Sequence, residues 1–325
     1  MNSTQPQVRK RTLLPRRYPK SEIHYSDLAV YRSCPAKFFY KIEEPSRQIG
    51  SAYMLLGSVF HAAFEDCCRW ECNNTFKSLA LRDVDYWDSL FDNVMILHPG
   101  SKYDVTDDDI KSWSSKFLSK DLFCGCSLGE LVIDLYQYVT LLGGYTVEKS
   151  ELKMEYDDLY GKHVGTLDLL MSSRRGGLAI ADIKTSGMWD KLIKNSGYKK
   201  QSVDSLQITH HPQMKHYHWL GWRSSSFNPE EVKEYALLYP ANQVPYISGP
   251  KAGKARGIPI FAAPCDISIR RYEEDLQSWL QLIQAGVRTR SYPHVYGKIE
   301  CPYCPWKDEC LGDQDSKQVP SYLRG

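Results

Sequence analysis

Apolar positions along this chain follow two regimes. From residue 26 to residue 142 they recur mostly at helical spacing, and from 147 to 184 they alternate with polar residues. A helix is predicted to begin at Ser26, as its N-cap, and to carry Leu28 and Tyr31 as far as the break at Cys34-Pro35. A short helix follows over 36–42. A third is predicted over 55–75, with Leu56, Phe60, Ala63, Phe64 and Cys67 on one face. Residues 76–147 read as a mostly helical insertion with a loop near 98–109. It closes on an amphipathic helix over 128–142 that stops at Gly143-Gly144. The alternating stretch predicts strands at 147–156, 163–171 and 177–184, joined by turns at 157–161 and 172–177. A helix over 204–222, a strand near 233–240, a short strand near 258–262 and a helix over 271–286 complete the pattern. Helix, three meandering strands, helix, strand is an α/β core with helical additions.

Composition narrows the class without deciding it. The 325 residues suffice for one large domain or two modest ones. Hydrophobic content of 42% and charged content of 25% are ordinary for a soluble globular chain. No run of about 18 apolar residues is present, so no membrane span is expected. The first residues carry no apolar signal core, so the expectation is an intracellular protein, cytoplasmic or nucleoid-associated, and not a secreted one. Ten cysteines in a reducing compartment favour metal or cluster ligation over disulfides. The net charge of +2 decides nothing, but its distribution is uneven. Residues 1–22 form a basic arm with Arg9, Lys10, Arg11, Arg16, Arg17 and Lys20, suited either to phosphate contacts or simply to water. Two further basic stretches, around Lys191, Lys194, Lys199 and Lys200 and around Lys251, Lys254 and Arg256, read as loops.

The chemistry concentrates at a few positions. Asp182 and Lys184 lie two apart on a predicted strand, so they project to one face. A carboxylate can hold a divalent cation there, and an adjacent lysine can orient water or offset charge on a phosphate. The bland alternative is a surface salt pair. The preceding strand carries Gly165-Thr166-Leu167-Asp168, and the turn at 172–177 folds it back so that Asp168 can stand beside Asp182. Two carboxylates at one point call for a cation between them. His61, in Gly57-Ser58-Val59-Phe60-His61, can add an imidazole to an oxygen-rich Mg²⁺ or Mn²⁺ site. Gln213 and Tyr217 share a helix face and can hydrogen-bond a phosphate or base nearby.

This ordered set resembles the PD-(D/E)XK nuclease superfamily, in particular its RecB-like branch, over residues 23–311 apart from the 76–147 insertion. The motifs carrying the resemblance are Gly57-x-x-x-His61, Gly165-x-x-Asp168, Asp182-x-Lys184 and Gln213-x-x-x-Tyr217. It implies a restriction-endonuclease-like αβββαβ core, with His61, Asp168, Asp182 and the backbone carbonyl of Ile183 as metal ligands and Lys184 as the catalytic lysine. An acid on the first core strand is expected, with Glu151 the best match and Glu155 its rival. The function implied is a metal-dependent DNA nuclease, an exonuclease on single-stranded ends. The alternative is a non-catalytic DNA-end-binding subunit of a helicase or CRISPR-adaptation complex. Since the chain has no G-x-x-x-x-G-K-[ST] motif, any helicase or other recombination partner is a separate chain.

Cys301, Cys304 and Cys310 give C-x2-C-x5-C, and a fourth soft ligand would complete either a zinc site or an iron–sulfur cubane. The segment around Cys34, Tyr25 to Phe39, resembles the N-terminal signature of iron–sulfur RecB-like nucleases, including the CRISPR-associated exonucleases and the AddB nuclease domain. That resemblance implies a structural 4Fe-4S cluster on Cys34, Cys301, Cys304 and Cys310 that clasps the termini of a nuclease domain over 23–311, followed by a tail over 312–325. The other six cysteines read as buried fillers.

Overall fold

The computed structural model describes residues 20–43, 49–69, 81–97, 102–103, 105–120, 122–174, 176–185, 188–189, 192–193, 204–244, 250, 254–255, 257–265, 269–289 and 304. Most of the basic arm, much of both basic loops, Cys72, Cys301, Cys310 and the tail lie outside the described residues.

In chain order, β1 (Glu22–Ile23) leads into α1 (Tyr25–Ser33) and α2 (Pro35–Glu43). After β2 (Ile49–Gly50) comes α3 (Ala52–Arg69). The insertion holds α4 (Val84–Leu97), β3 (Lys102–Tyr103), α5 (Asp107–Leu118) and α6 (Leu128–Gln137). The long strands β4 (Tyr145–Asp157) and β5 (Lys162–Ser173) precede the short β6 (Leu178–Ile183). Then follow α7 (Ser205–Thr209), α8 (Pro212–Arg223), β7 (Val232–Leu238), β8 (Ile260–Pro264) and α9 (Ile269–Thr289). Among the described residues no helix is long and apolar enough to cross a membrane.

Local chemistry sets the boundaries. α1 begins at Tyr25, one residue before the expected cap, because His24 is extended and its carbonyl accepts from the amides of Asp27 and Leu28. Thr106 with Asp109, Ser127 with Glu130 and Asp204 with Gln207 form reciprocal caps on α5, α6 and α7. The helix expected over 128–142 is α-helical only to Gln137 and widens to a π-helical turn over Tyr138–Leu142. The helix expected over 204–222 is two helices. Pro212 has no amide hydrogen to continue α7, and with His211 extended before it, it starts α8 instead.

The chain falls into two compact units, one of residues 1–43, 155–164 and 274–325, the other of residues 44–154 and 165–273. In the first unit β1 pairs in parallel with the start of β5, and Asp27 is buried between Lys20 at 2.8 Å and Lys41 at 3.3 Å. Arg32 stacks its guanidinium 4.4 Å above the Trp279 ring of α9.

The second unit is built on a mixed sheet. β5 runs antiparallel to β6, β6 parallel to β7, and β7 antiparallel to β8, while β4 also pairs with β5. Alternation sorts the strand residues by face. Leu169, Met171, Ala179, Ala181, Ile183, Ala236 and Leu238 join the large core with α3, α4, α5 and α6. Tyr235 faces the other way, towards α8, where its hydroxyl meets His218 Nδ1 at 2.9 Å.

Candidate active site

The register of β5 on β6 pairs Leu169 with Ala181 and Leu170 with Ile180, so the next pair outward is Asp168 with Asp182. Register partners share a face, and both carboxylates are buried, at 8% and 3% exposure. Each has a different partner. Asp168 Oδ2 accepts from the Ile183 amide at 2.6 Å. Asp182 Oδ2 lies 2.6 Å from Lys184 Nζ. The Lys184 ammonium also donates to Gln213 Oε1 at 2.8 Å, and Gln213 Nε2 donates to the Tyr217 hydroxyl at 2.9 Å. The four-residue spacing on α8 puts these two side chains one above the other, in line with Lys184.

From α3, His61 reaches the same end of β6. Its Nε2 donates to the Ile183 carbonyl at 3.1 Å, and its Nδ1 lies 3.3 Å from Glu151 Oε1 and 3.6 Å from Asp168 Oδ1. Glu151 sits in β4 with φ of 47°, a left-handed conformation rare for a residue with a Cβ. Such an irregularity re-aims a strand side chain. Glu155, the rival, is ion-paired with Lys162 at 2.7 Å.

Two glycines allow these approaches. A Cβ on Gly57 would lie 3.1 Å from Thr185 Oγ1, just past the Asp182-Lys184 pair. One on Gly165 would lie 2.9 Å from Leu220 Cδ2 and 3.3 Å from the Tyr217 ring, so a bare backbone is what admits α8 here.

Charge is unevenly balanced. Burial works against a proton on His61, but the carboxylates of Asp168 and Glu151, with Asp182 beyond, outweigh it and raise the imidazole to about 9. Burial pushes Asp168 up to about 7, opposed by His61 and reinforced by Asp182 and Glu151. The nearest ligand atoms of His61, Glu151 and Asp168 all lie within 4.8 Å of one another. Three carboxylates, an imidazole and a backbone carbonyl make a hard, oxygen-rich donor set, which fits a divalent cation such as Mg²⁺ or Mn²⁺ in the place of the proton that His61 now shares with Glu151 and Asp168.

The structure thus brings together His61, Glu151, Asp168, Asp182, Ile183, Lys184, Gln213 and Tyr217. In the first unit, Cys34 and Cys304 pack on the same small cluster of Ala36 and Tyr40. Of the other cysteines, Cys67 and Cys68 are buried, while Cys124, Cys126 and Cys265 are half-buried. Two neighbours of the site escaped the sequence reading. Burial and the charge of Lys184 lower His211, which holds a buried Nδ1 with no hydrogen-bond partner among the described residues. Burial and the charge of Asp182 raise Tyr239. His211 carried a signal in its place just before Pro212 and two residues before Gln213. Tyr239 carried none that its sequence neighbours could supply.

Among solved structures, the crystal structure of SSO0001 aligns over 91% of this chain and 88% of its own, at 13% identity and a TM-score of 0.33. No match is found among curated proteins. The profile of the PD-(D/E)XK nuclease superfamily matches residues 23–311, which spans every motif residue described above. The chain belongs to the PD-(D/E)XK nuclease superfamily.

Proposed function

We propose that this protein is a metal-dependent deoxyribonuclease of the RecB-like branch, acting as an exonuclease on single-stranded DNA ends. The observation that carries the reading is the meeting of His61, Glu151 and Asp168 with the Ile183 carbonyl and the Asp182–Lys184 pair. His61, Asp168, Asp182, Glu151 and the Ile183 carbonyl would hold the cation. Once bound, it would lower the pKa of a coordinated water so that hydroxide is available to attack the phosphorus, and would offset charge on the phosphate as the bond to the 3′ oxygen breaks. Lys184 adds a positive charge where the attacked phosphate gathers negative charge. Gln213 fixes that ammonium through its amide oxygen, and Tyr217 fixes Gln213 in turn. Asp168 keeps its second oxygen on the Ile183 amide, which fixes its aim.

The iron–sulfur reading belongs to the same proposal. Cys34 and Cys304, near opposite ends of the chain, share one small cluster, and the Lys37 amide points at Cys34 Sγ from 3.5 Å. Thiolates of Cys34, Cys301, Cys304 and Cys310 would hold a structural 4Fe-4S cluster, detectable as iron and acid-labile sulfide. A helicase or other recombination protein would supply any motor.

The test is degradation of end-labelled single-stranded DNA with Mn²⁺, compared with closed-circular DNA of the same sequence. The linear strand is expected to be degraded and the circle spared. Asp182→Ala and Lys184→Ala are each expected to lower the rate at least about a hundredfold, as loss of a charge-stabilising group does, with the melting temperature of the chain retained. Variants as active as the parent would overturn the site, and a circle cut as fast as the linear strand would overturn the exonuclease assignment.

A further inference from the structure

Beyond the charged groups, the same end of the sheet carries an aromatic pair that the chemistry above does not use. β6 and β7 are parallel, with Asp182 opposite Leu237 and Ile183 opposite Leu238. The ladder runs one step further, since the Lys184 amide donates to the Leu238 carbonyl at 2.7 Å. Tyr239 therefore stands beside Lys184 on the neighbouring strand, on the face of Asp182 and Leu237. β8 runs antiparallel to β7 with Phe261 opposite Leu237, so Phe261 shares that face as well. The two rings meet edge to face, with centroids 5.8 Å apart and planes at 77°, and the Tyr239 amide donates to the Pro259 carbonyl at 2.7 Å, which fixes the ring's origin. The negative charge of Asp182 reaches the Tyr239 hydroxyl.

Their burial separates these rings from core aromatics. Tyr235, four residues before Tyr239, is fully buried and its hydroxyl is engaged by His218. Tyr239 and Phe261 are only half-buried, and the Tyr239 hydroxyl makes no hydrogen bond to a described residue. A half-exposed aromatic corner next to a lysine and carboxylates suits a molecule that presents a π-face and a phosphate a few ångströms apart. A nucleotide in a single strand does this, whereas in a duplex its base faces are covered by neighbours.

Building on the nuclease reading, we infer that Tyr239 and Phe261 form a stacking platform for the unpaired base next to the phosphate that is cut. The platform selects single strands, because only an unstacked base can reach it.

The inference is tested by binding rather than cleavage, with the full chain in EDTA. Fluorescence anisotropy compares two probes of about twelve nucleotides, a length within the span of single-strand binders. One is oligothymidylate and the other is the same backbone with abasic tetrahydrofuran residues. The parent is expected to bind oligothymidylate about tenfold tighter than the abasic probe, as stacking on aromatic rings supplies. Tyr239→Ala is expected to reduce that ratio at least about fivefold with the abasic affinity unchanged, and Tyr239→Phe to preserve it. Phe261→Leu, on the outer strand β8, is expected to reduce it as well and serves if Tyr239→Ala does not fold. A ratio near one in the parent, or one unaltered by both variants, overturns the platform. A parent that discriminates the probes yet cuts nothing with Mn²⁺ retains the platform and sinks the nuclease reading alone.

Discussion

His218 shows how a single buried side chain ties stability to pH. It is 2% exposed, its Nε2 donates to the Pro229 carbonyl at 2.9 Å, and its Nδ1 accepts from the Tyr235 hydroxyl at 2.9 Å. Both ring nitrogens are satisfied in the neutral form. Burial accordingly lowers His218 from 6.5 to about 4, against a small opposing pull from the Pro229 carbonyl. The unfolded chain takes up a proton below pH 6.5 and the folded one only near 4, so this contribution is complete above 6.5 and fades as the pH falls towards 4. At about 1.4 kcal/mol for each tenfold, it amounts to about 3 kcal/mol. The stability gap between the parent and His218→Gln, measured by urea unfolding, is expected to narrow by about that much between pH 7 and pH 4. A gap of constant size would refute the assignment. Glu151 marks the opposite limit of residue-level reading. Its place as the acid of the first long strand was legible, but its left-handed backbone was not, because nothing in Lys149-Ser150-Glu151-Leu152 requires it. In the structure the conformation accompanies the approach of the carboxylate to His61 Nδ1 at 3.3 Å, a contact across 90 residues.

At the scale of elements, the close fit of α8 on β5 is the sharpest constraint. Gly165→Ala places a methyl 2.9 Å from Leu220 Cδ2 and 3.3 Å from the Tyr217 ring. Overpacking of this kind costs about 1–3 kcal/mol. Nuclease activity is expected to fall further than the loss of stability explains, because Tyr217 anchors Gln213 and, through it, Lys184. Leu220→Ala in the Gly165→Ala background is expected to cost less than the sum of the two single changes in chemical denaturation. Strict additivity would place the conflict elsewhere. The strands themselves were largely legible, since alternation located β4 to β6 to within a few residues and the turn at 172–177 set Asp168 beside Asp182. The break between α7 and α8 was missed although Pro212 announced it, because the apolar spacing runs on through the proline. Strands of two residues, such as β1, carry too little pattern for alternation to detect and exist through their pairing with distant strands.

At the scale of the whole molecule, a cluster on Cys34 and the three late cysteines would close nearly the entire chain into a ring. Ring closure of that span restricts the unfolded chain by about 5–6 kcal/mol. Cys34→Ala is therefore expected to lower the melting temperature and abolish iron retention while leaving the residual specific activity of the folded fraction near that of the parent. An unchanged melting temperature would dismiss the clasp. The site has its own long-range character. Hydrogen bonds join His61 to Glu151 across 90 residues and to Ile183 across 122. Between His61 and Glu151 the ribosome must deliver the whole helical insertion, and Lys184 then waits for Gln213. During synthesis, which proceeds at about 5–20 residues per second, the growing polypeptide thus holds the parts of the site separately. A chain released before α8 lacks Gln213 and Tyr217, so its Lys184 would keep the Asp182 carboxylate as its one partner from this network, and the lysine's aim is the last part of the site to be set during synthesis.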